Sequence, residues 1–193
     1  MANLQAMHEL LDVKKMNALA RKIWDARRIL VMGGDQAAVL VKYLGYNLGV
    51  LGLPVTQAIT PGECIHLARG MGKGDLVFGL TFRRGLRQTV DAMKVSRRKG
   101  AYCVGISDSY LSQLSRHADE IFMASVQATG FGASYVAPIA LIDIVATACA
   151  KYGGARTIAL LKEAAEEQRS GFRWYQEQGA RGEMIMSGEK NGG

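Results

Sequence analysis

Five short apolar runs alternate along this chain with stretches of helical periodicity, and that alternation constrains the fold more than any other feature. The runs cover residues 28–32, 54–57, 75–80, 102–106 and 120–124. Four of them are apolar at most positions, which is the pattern of a strand buried on both faces rather than on one. Between them, residues 36–48, 62–70, 86–99 and 111–117 read as helices, and two more at residues 134–152 and 157–178 close the domain. An amphipathic lead-in helix over residues 4–26 carries Leu4, Met7, Leu11, Met16, Leu19 and Ile23 at helical spacing. Parallel strands need crossover connections, and a sheet so connected must bury both faces. The prediction is an α/β fold, a three-layer α/β/α sandwich around a five-stranded parallel sheet.

Length and composition agree with one such domain. The 193 residues are 49% hydrophobic, too apolar for a disordered chain and long enough to build a core without disulfide or metal staples. The expected division is a lead-in helix at residues 1–27, the α/β domain at 28–181 and a disordered tail at 182–193. Residues 1–12 lack the basic start, apolar run and cleavage site of a secretory signal, so a cytoplasmic location is expected. The longest apolar stretch, residues 135–150, is interrupted by Pro138 and Asp143 and falls short of the ~20 residues of a bilayer span. It reads as a buried helix. Cys64, Cys103 and Cys149 form no Cys-x-x-Cys pair, and His8, His66 and His117 show no ligand spacing, so neither metal nor other cofactor is expected.

In a parallel sheet, ligands gather beyond the carboxyl ends of the strands, where three loops would converge. Gly33, Gly34, Asp35 and Gln36 form the first, a strand-to-helix turn whose free N–H groups and helix dipole favour an anion. It is neither a Walker loop nor a dinucleotide fingerprint, and an ordinary tight turn capped by Asp35 is the competing reading. Thr81, Arg83, Arg84 and Gln88 belong to the second. Arginine can fork two hydrogen bonds onto a phosphate or carboxylate, although a solvated basic helix face has the same composition. Ser107 and Ser109, either side of Asp108, bring hydroxyls to the same rim or build a simple turn. His117 and Glu120 sit in an exposed setting, and no general acid/base pair emerges from them.

The net charge of +7 is concentrated. Residues 83–99 hold seven basic side chains and one acid, +6 of the total. Arg97, Arg98 and Lys99 complement the C-terminal end of their helix, whereas Arg83 and Arg84 lie at the end where its dipole disfavours cations. The charge therefore points first to a small anion and second to a polymer such as nucleic acid.

The chain resembles the sugar isomerase (SIS) domain, in the version found in RpiR-family phosphosugar-responsive transcriptional regulators. The matching elements are Arg28-Ile-Leu-Val-Met-Gly33, Lys42-Tyr-Leu44, Gly74-Asp75, Thr81-Phe-Arg-Arg84, Gln88-Thr-Val90, Arg98-Lys-Gly-Ala101, Gly105-Ile-Ser-Asp108 and the stretch from Ser112 to Asp119. The resemblance runs to about Tyr175. It implies a flavodoxin-like topology, a homodimer or homotetramer, and a phosphosugar bound at the strand ends. Where the general domain has Gly-x-Gly-x-Ser and Ser-x-Ser-Gly-x-Thr loops, Asp35 and Ala37 replace the second glycine and the serine. Arg83, Arg84 and Leu86 replace the Ser-Gly pair and the threonine, leaving Thr81 as the retained hydroxyl. No glutamate or histidine of the isomerase members maps onto this chain.

The functional expectation is a non-catalytic domain that binds a phosphosugar or related anionic carbohydrate derivative. It would act as a stand-alone protein or as the effector domain of an RpiR-like regulator, with no DNA-binding domain in this chain and no membrane partner. The binding residues expected are Gly33, Gly34, Asp35, Gln36, Thr81, Arg83, Arg84, Gln88, Ser107 and Ser109, with no catalytic residue. The competing expectations are an aldose–ketose sugar-phosphate isomerase and direct nucleic-acid binding through the basic helix.

Overall fold

All five apolar runs form strands: β1 (Ile29–Met32), β2 (Val55–Ala58), β3 (Leu76–Leu80), β4 (Tyr102–Ser107) and β5 (Glu120–Met123). They pair in parallel throughout, in the order β2-β1-β3-β4-β5. The structure, a computed structural model, describes residues 1–130 and 132–170. The end of the expected last helix, the C-terminal limit expected at residue 181 and the expected tail at 182–193 lie outside the described residues.

Among the described residues six α-helices cover the sheet: α1 (Ala2–Leu10), α2 (Val13–Asp25), α3 (Ala37–Val50), α4 (Pro61–Gly70), α5 (Arg87–Arg98) and α6 (Val136–Ser170). Side chains alternate across a strand, and here the alternation divides the core in two. Ile29, Val31, Phe78, Leu80, Val104 and Ile106 pack with Leu19, Ile23, Leu40, Leu44 and Leu141 from α2, α3 and α6. Leu30, Met32, Val77 and Cys103 point the other way, onto Cys64, Ala68, Ala92 and Met93 of α4 and α5. Each fully buried aliphatic or aromatic side chain contributes about 1.5–3 kcal/mol, so the strands are held from both sides. The three-layer sandwich is the architecture found.

Three elements differ from expectation. The lead-in is two helices, because Asp12 leaves helical geometry and accepts hydrogen bonds from the N–H groups of Lys14 and Lys15 to start α2 afresh. Both helices pack into the main core through Met7, Met16, Leu19 and Ile23. The helix expected at residues 111–117 is only a 3₁₀ turn over Ser115–His117. Its hydroxyls compete with helix: Ser109 Oγ accepts from the Leu111 N–H, and Ser115 Oγ donates to backbone carbonyls. The two closing helices run on as α6, broken at Gly154, whose φ of 51° and ψ of −125° are open only to glycine.

By length and composition α6 contains an 18-residue stretch apolar enough to cross a membrane, with a mean hydropathy of 1.4. In the fold, Ala137, Leu141, Ile142, Val145 and Cys149 form its buried face against α2, α3 and the sheet. At the amino ends of the strands, the buried Asp75 carboxylate accepts from Arg27 Nε (3.0 Å), Arg28 Nη2 (2.7 Å) and the Gly72 N–H (2.9 Å). Burial pushes that carboxyl up, but the hydrogen bonds from Arg28, Arg27 and Gly72 prevail and hold it well below the usual carboxylate range. This clasp closes the edge opposite the loops of interest.

Candidate functional site

The strand order reverses direction at β1: the chain leaves toward β2 on one side and returns to β3 on the other. Loops that follow β1 and β3 therefore diverge, and the crevice between them is where sheets of this kind place ligands. A cleft of about 310 Å³ lies there, lined by Gly34, Asp35, Gln36 and Ala37 from the first loop, Thr81 to Leu86 from the second, and Tyr135.

Glycines bring the two loops together. A Cβ on Gly33 would lie 2.9 Å from the Leu80 carbonyl oxygen and 3.0 Å from Val41 Cγ2, so only glycine lets the turn after β1 sit against β3. A Cβ on Gly34 would meet Leu86 Cδ1 at 2.9 Å and Gln88 Nε2 at 3.1 Å, which places the first loop directly against the start of α5. Asp35 and Arg83 have φ of 55° and 60°, and they are the non-glycine residues with positive φ among those described. Both line the cleft. Left-handed backbone is unfavourable for L-residues by roughly 1–2 kcal/mol, least for Asp and Asn, and such strain clusters at functional sites. At Arg83 it is supported from β4: the Arg83 N–H donates to Asp108 Oδ1 at 2.9 Å.

The polar inventory is uneven. Thr81 is 4% exposed, and its Oγ1 has no hydrogen-bond partner among the described residues; the same holds for Ser107 Oγ and Thr89 Oγ1. Thr81 and Ser107 lie side by side, one register step beyond the Leu80–Ile106 pair, and Thr89 belongs to the first turn of α5. Buried hydroxyls are normally satisfied, so three of them near one strand-end rim require an explanation. Arg83 and Arg84 are exposed and form no salt bridge among the described residues. Farther along α5 the basic residues are employed structurally: Arg97 pairs with Asp119 at 3.2 Å, and Lys99 donates to the Arg69 carbonyl.

Helix ends follow the same division. Asp12 caps α2 and Thr60 caps α4 in a reciprocal box with Glu63, but α3 and α5 begin at Gln36 and Leu86 with no side-chain cap. Both uncapped ends face the cleft with their dipoles positive. The Ala38, Val39 and Thr89 N–H groups donate to the carbonyls of Asp35, Gln36 and Leu86, which leaves Ala37 on α3 and Arg87 and Gln88 on α5 as the first-turn N–H groups without a partner among the described residues. Across it, Tyr135 stacks edge-on against Phe82 at 5.4 Å and donates from its hydroxyl to Gln36 Oε1 at 3.3 Å. Burial, then the negative charges of Asp35 and Asp108, push the phenol upward against the opposing effect of Arg83, so it remains a protonated donor.

Of the ten residues selected from sequence, Gly34, Asp35, Gln36, Thr81, Arg83 and Arg84 line this cleft. Gly33 packs behind it, Gln88 abuts Gly34, and Ser107 is buried at the end of β4. Ser109 is spent on its own turn. Sequence reasoning missed Tyr135 and Phe82. Phe82 carried a signal by sitting between Thr81 and Arg83, whereas Tyr135 lies 26 residues beyond Ser109, outside every loop considered, and reaches the cleft only through the path of α6. Cys64, Cys103 and Cys149 are buried, and burial first of all pushes their thiols up to about 11, 12 and 12. His117 lies in the 3₁₀ turn and does not line the cleft.

Comparison with known proteins gives the arrangement a context. The SIS domain family model matches residues 22–148. A curated relative, an uncharacterised helix-turn-helix-type transcriptional regulator of Caldanaerobacter subterraneus subsp. tengcongensis, is 23% identical over 140 residues, which are 70% of this chain and 50% of the relative. The chain thus spans about half the length of the curated relative it matches. Among solved structures, the sugar isomerase domain of an RpiR transcription factor from Sphaerobacter thermophilus superposes with a TM-score of 0.80 at 25% identity, covering 86% of this chain and 93% of that one. The NanR protein of Vibrio vulnificus, complexed with ManNAc-6P, superposes at 0.78 with 20% identity over 86% of this chain and 64% of its own.

Proposed function

We propose that this chain, which belongs to the SIS domain family, is a non-catalytic module that binds a phosphosugar or related anionic carbohydrate derivative in the cleft between the β1 and β3 loops. Its setting is a cytoplasmic RpiR-like transcriptional regulator or a stand-alone sensor, in keeping with the regulators it resembles and with the phosphosugar in the NanR complex. The observation that carries this reading is the pairing of two ion-pair-free arginines with a buried, partnerless hydroxyl at Thr81.

An anion entering from solvent would meet Arg83 and Arg84, whose planar forks match phosphate oxygens. The first-turn N–H groups of α5 would cap it and Thr81 Oγ1 would donate to it, so that the ligand supplies the cap which Leu86 cannot. Gln36, Tyr135 and Phe82 on the other wall offer a polar edge and an aromatic face for the sugar ring. Among the described residues the acid–base side chains that line the cleft are Asp35 and Tyr135, with no histidine, glutamate, lysine or cysteine beside them, a lining poor in the groups that proton transfer in aldose–ketose isomerisation uses.

The oligomer belongs to the same reading. Val39, Tyr43, Tyr46 and Val50 form an exposed stripe along α3, from 37% to 68% accessible, that begins beside the cleft. Such a continuous apolar stripe suits a homodimer or homotetramer contact. A thermal-shift screen of hexose, pentose and amino-sugar phosphates tests the binding function. A stabilising ligand is expected, and Arg83→Ala with Arg84→Ala should abolish its shift; an unchanged shift in that variant rejects the assignment. Interconversion of any of these sugars, followed by NMR, would replace it with an isomerase.

A further inference from the structure

We infer that the ligand is zwitterionic, carrying an ammonium group opposite Asp35 as well as an anionic group at Arg83 and Arg84; this rests on the phosphosugar reading and narrows it to amino-sugar phosphates with a free amine. The charges inside the cleft do not balance for a simple phosphate ligand. The cleft's charged lining residues are Asp35, Arg83 and Arg84. A phosphate monoester near neutral pH bears almost two negative charges, close to what two arginines neutralise. Asp35 is then a surplus negative charge at the mouth of the site, and Asp108 adds a second one behind Arg83.

Asp35 is not consumed by the protein. Its carboxylate forms no hydrogen bond or salt bridge among the described residues, although the turn it occupies would let it cap α3. The left-handed backbone at φ 55° turns the residue out of helical geometry, and its charge reaches the Tyr135 hydroxyl across the cleft. Thr81 Oγ1, buried and partnerless in the same cleft, marks the anionic end independently. The site therefore presents a cationic pole on the second loop and an anionic pole on the first. A neutral hydroxyl at the sugar position facing Asp35 would leave the carboxylate repelling the phosphate. An ammonium there cancels both, and an acetylated amine, being neutral, does not.

The test is isothermal titration of the full chain at neutral pH and low salt with matched hexose 6-phosphates in gluco, galacto and manno configuration. Each configuration is offered as the parent sugar, the 2-amino-2-deoxy sugar and its N-acetyl derivative. The free-amine member of the best-bound configuration should bind about tenfold more tightly than its neutral counterparts, since close opposite charges contribute specificity at this scale. Asp35→Asn keeps a residue tolerant of left-handed backbone and should erase that preference, so that the three members of each configuration bind alike. Equal affinities within each configuration, tighter binding of a neutral member, or an unchanged preference in Asp35→Asn overturn the inference and leave phosphosugar binding intact. Absence of binding by every member overturns the inference, and absence of a shift across the whole thermal-shift screen overturns the phosphosugar reading as well.

Discussion

At the scale of single residues, Thr81 separates a role in binding from a role in stability. Its hydroxyl is buried and unpartnered, so it contributes nothing to the folded chain that an isosteric methyl would not. Thr81→Val is expected to leave the melting temperature unchanged or raised, since replacing an unsatisfied buried polar group by an apolar one is neutral or stabilising. Ligand affinity should fall roughly five- to tenfold, the equivalent of one hydrogen bond of about 1 kcal/mol. Calorimetric titration alongside a denaturation scan reads both quantities; a loss of stability without loss of affinity would make Thr81 structural. Arg83 and Arg84 were legible in sequence because cations at the start of a helix work against its dipole, and their side chains form no salt bridge among the described residues. Ser109, which the sequence allowed either to reach the rim or to build a turn, builds the turn and satisfies the Leu111 N–H. A hydroxyl's partner is a matter of distance, which spacing along the chain does not encode.

Elements show the same contrast. The runs of β1, β3 and β4 were readable because burial on both faces leaves little choice but aliphatic residues, whereas β2, at the sheet edge with Thr56 and Gln57 exposed, forms its strand without that pattern. Helices were less secure where short polar side chains offer the backbone an alternative, as Asp12 does in the lead-in and Ser109 and Ser115 do before β5. On α3, the inward face carries Leu40, Val41, Leu44 and Leu48, and the outward one the stripe containing Tyr46. A helix apolar on both faces is costly to leave in water. Tyr46→Glu is therefore expected to convert the proposed oligomer into monomers without unfolding them, as read by light scattering after size-exclusion chromatography with circular dichroism as control. An unchanged mass would remove α3 from the interface.

For the molecule as a whole, the two ends of the sheet divide the labour. The carboxyl ends hold strained loops and partnerless hydroxyls, while the amino ends are clasped by Asp75 with Arg27 and Arg28. Because the Asp75 carboxyl titrates below its unfolded value of about 3.9, the unfolded chain takes up the proton first as pH falls. The clasp's contribution is complete above that value and is lost as pH drops through the lower folded value. Asp75→Asn should lower stability at pH 7 by about 1–3 kcal/mol, the range for a hydrogen-bonded charged group, and reduce the loss seen between about pH 4 and pH 2. Urea titrations of both proteins across that range check it, and parallel acid profiles would assign the loss to other carboxylates. What the sequence determined alone was the layer architecture, the presence of a basic second loop and the glycine turn after β1, because periodicity and residue type follow directly from burial and backbone sterics. Only the tertiary structure decided that the first and second loops face each other at the strand reversal, that Tyr135 closes the third wall, and that Asp35 stands opposite two arginines. Those are contacts between residues roughly 50 to 100 positions apart in the chain. They depend on strand order and on the path of α6, and local sequence carries no record of either.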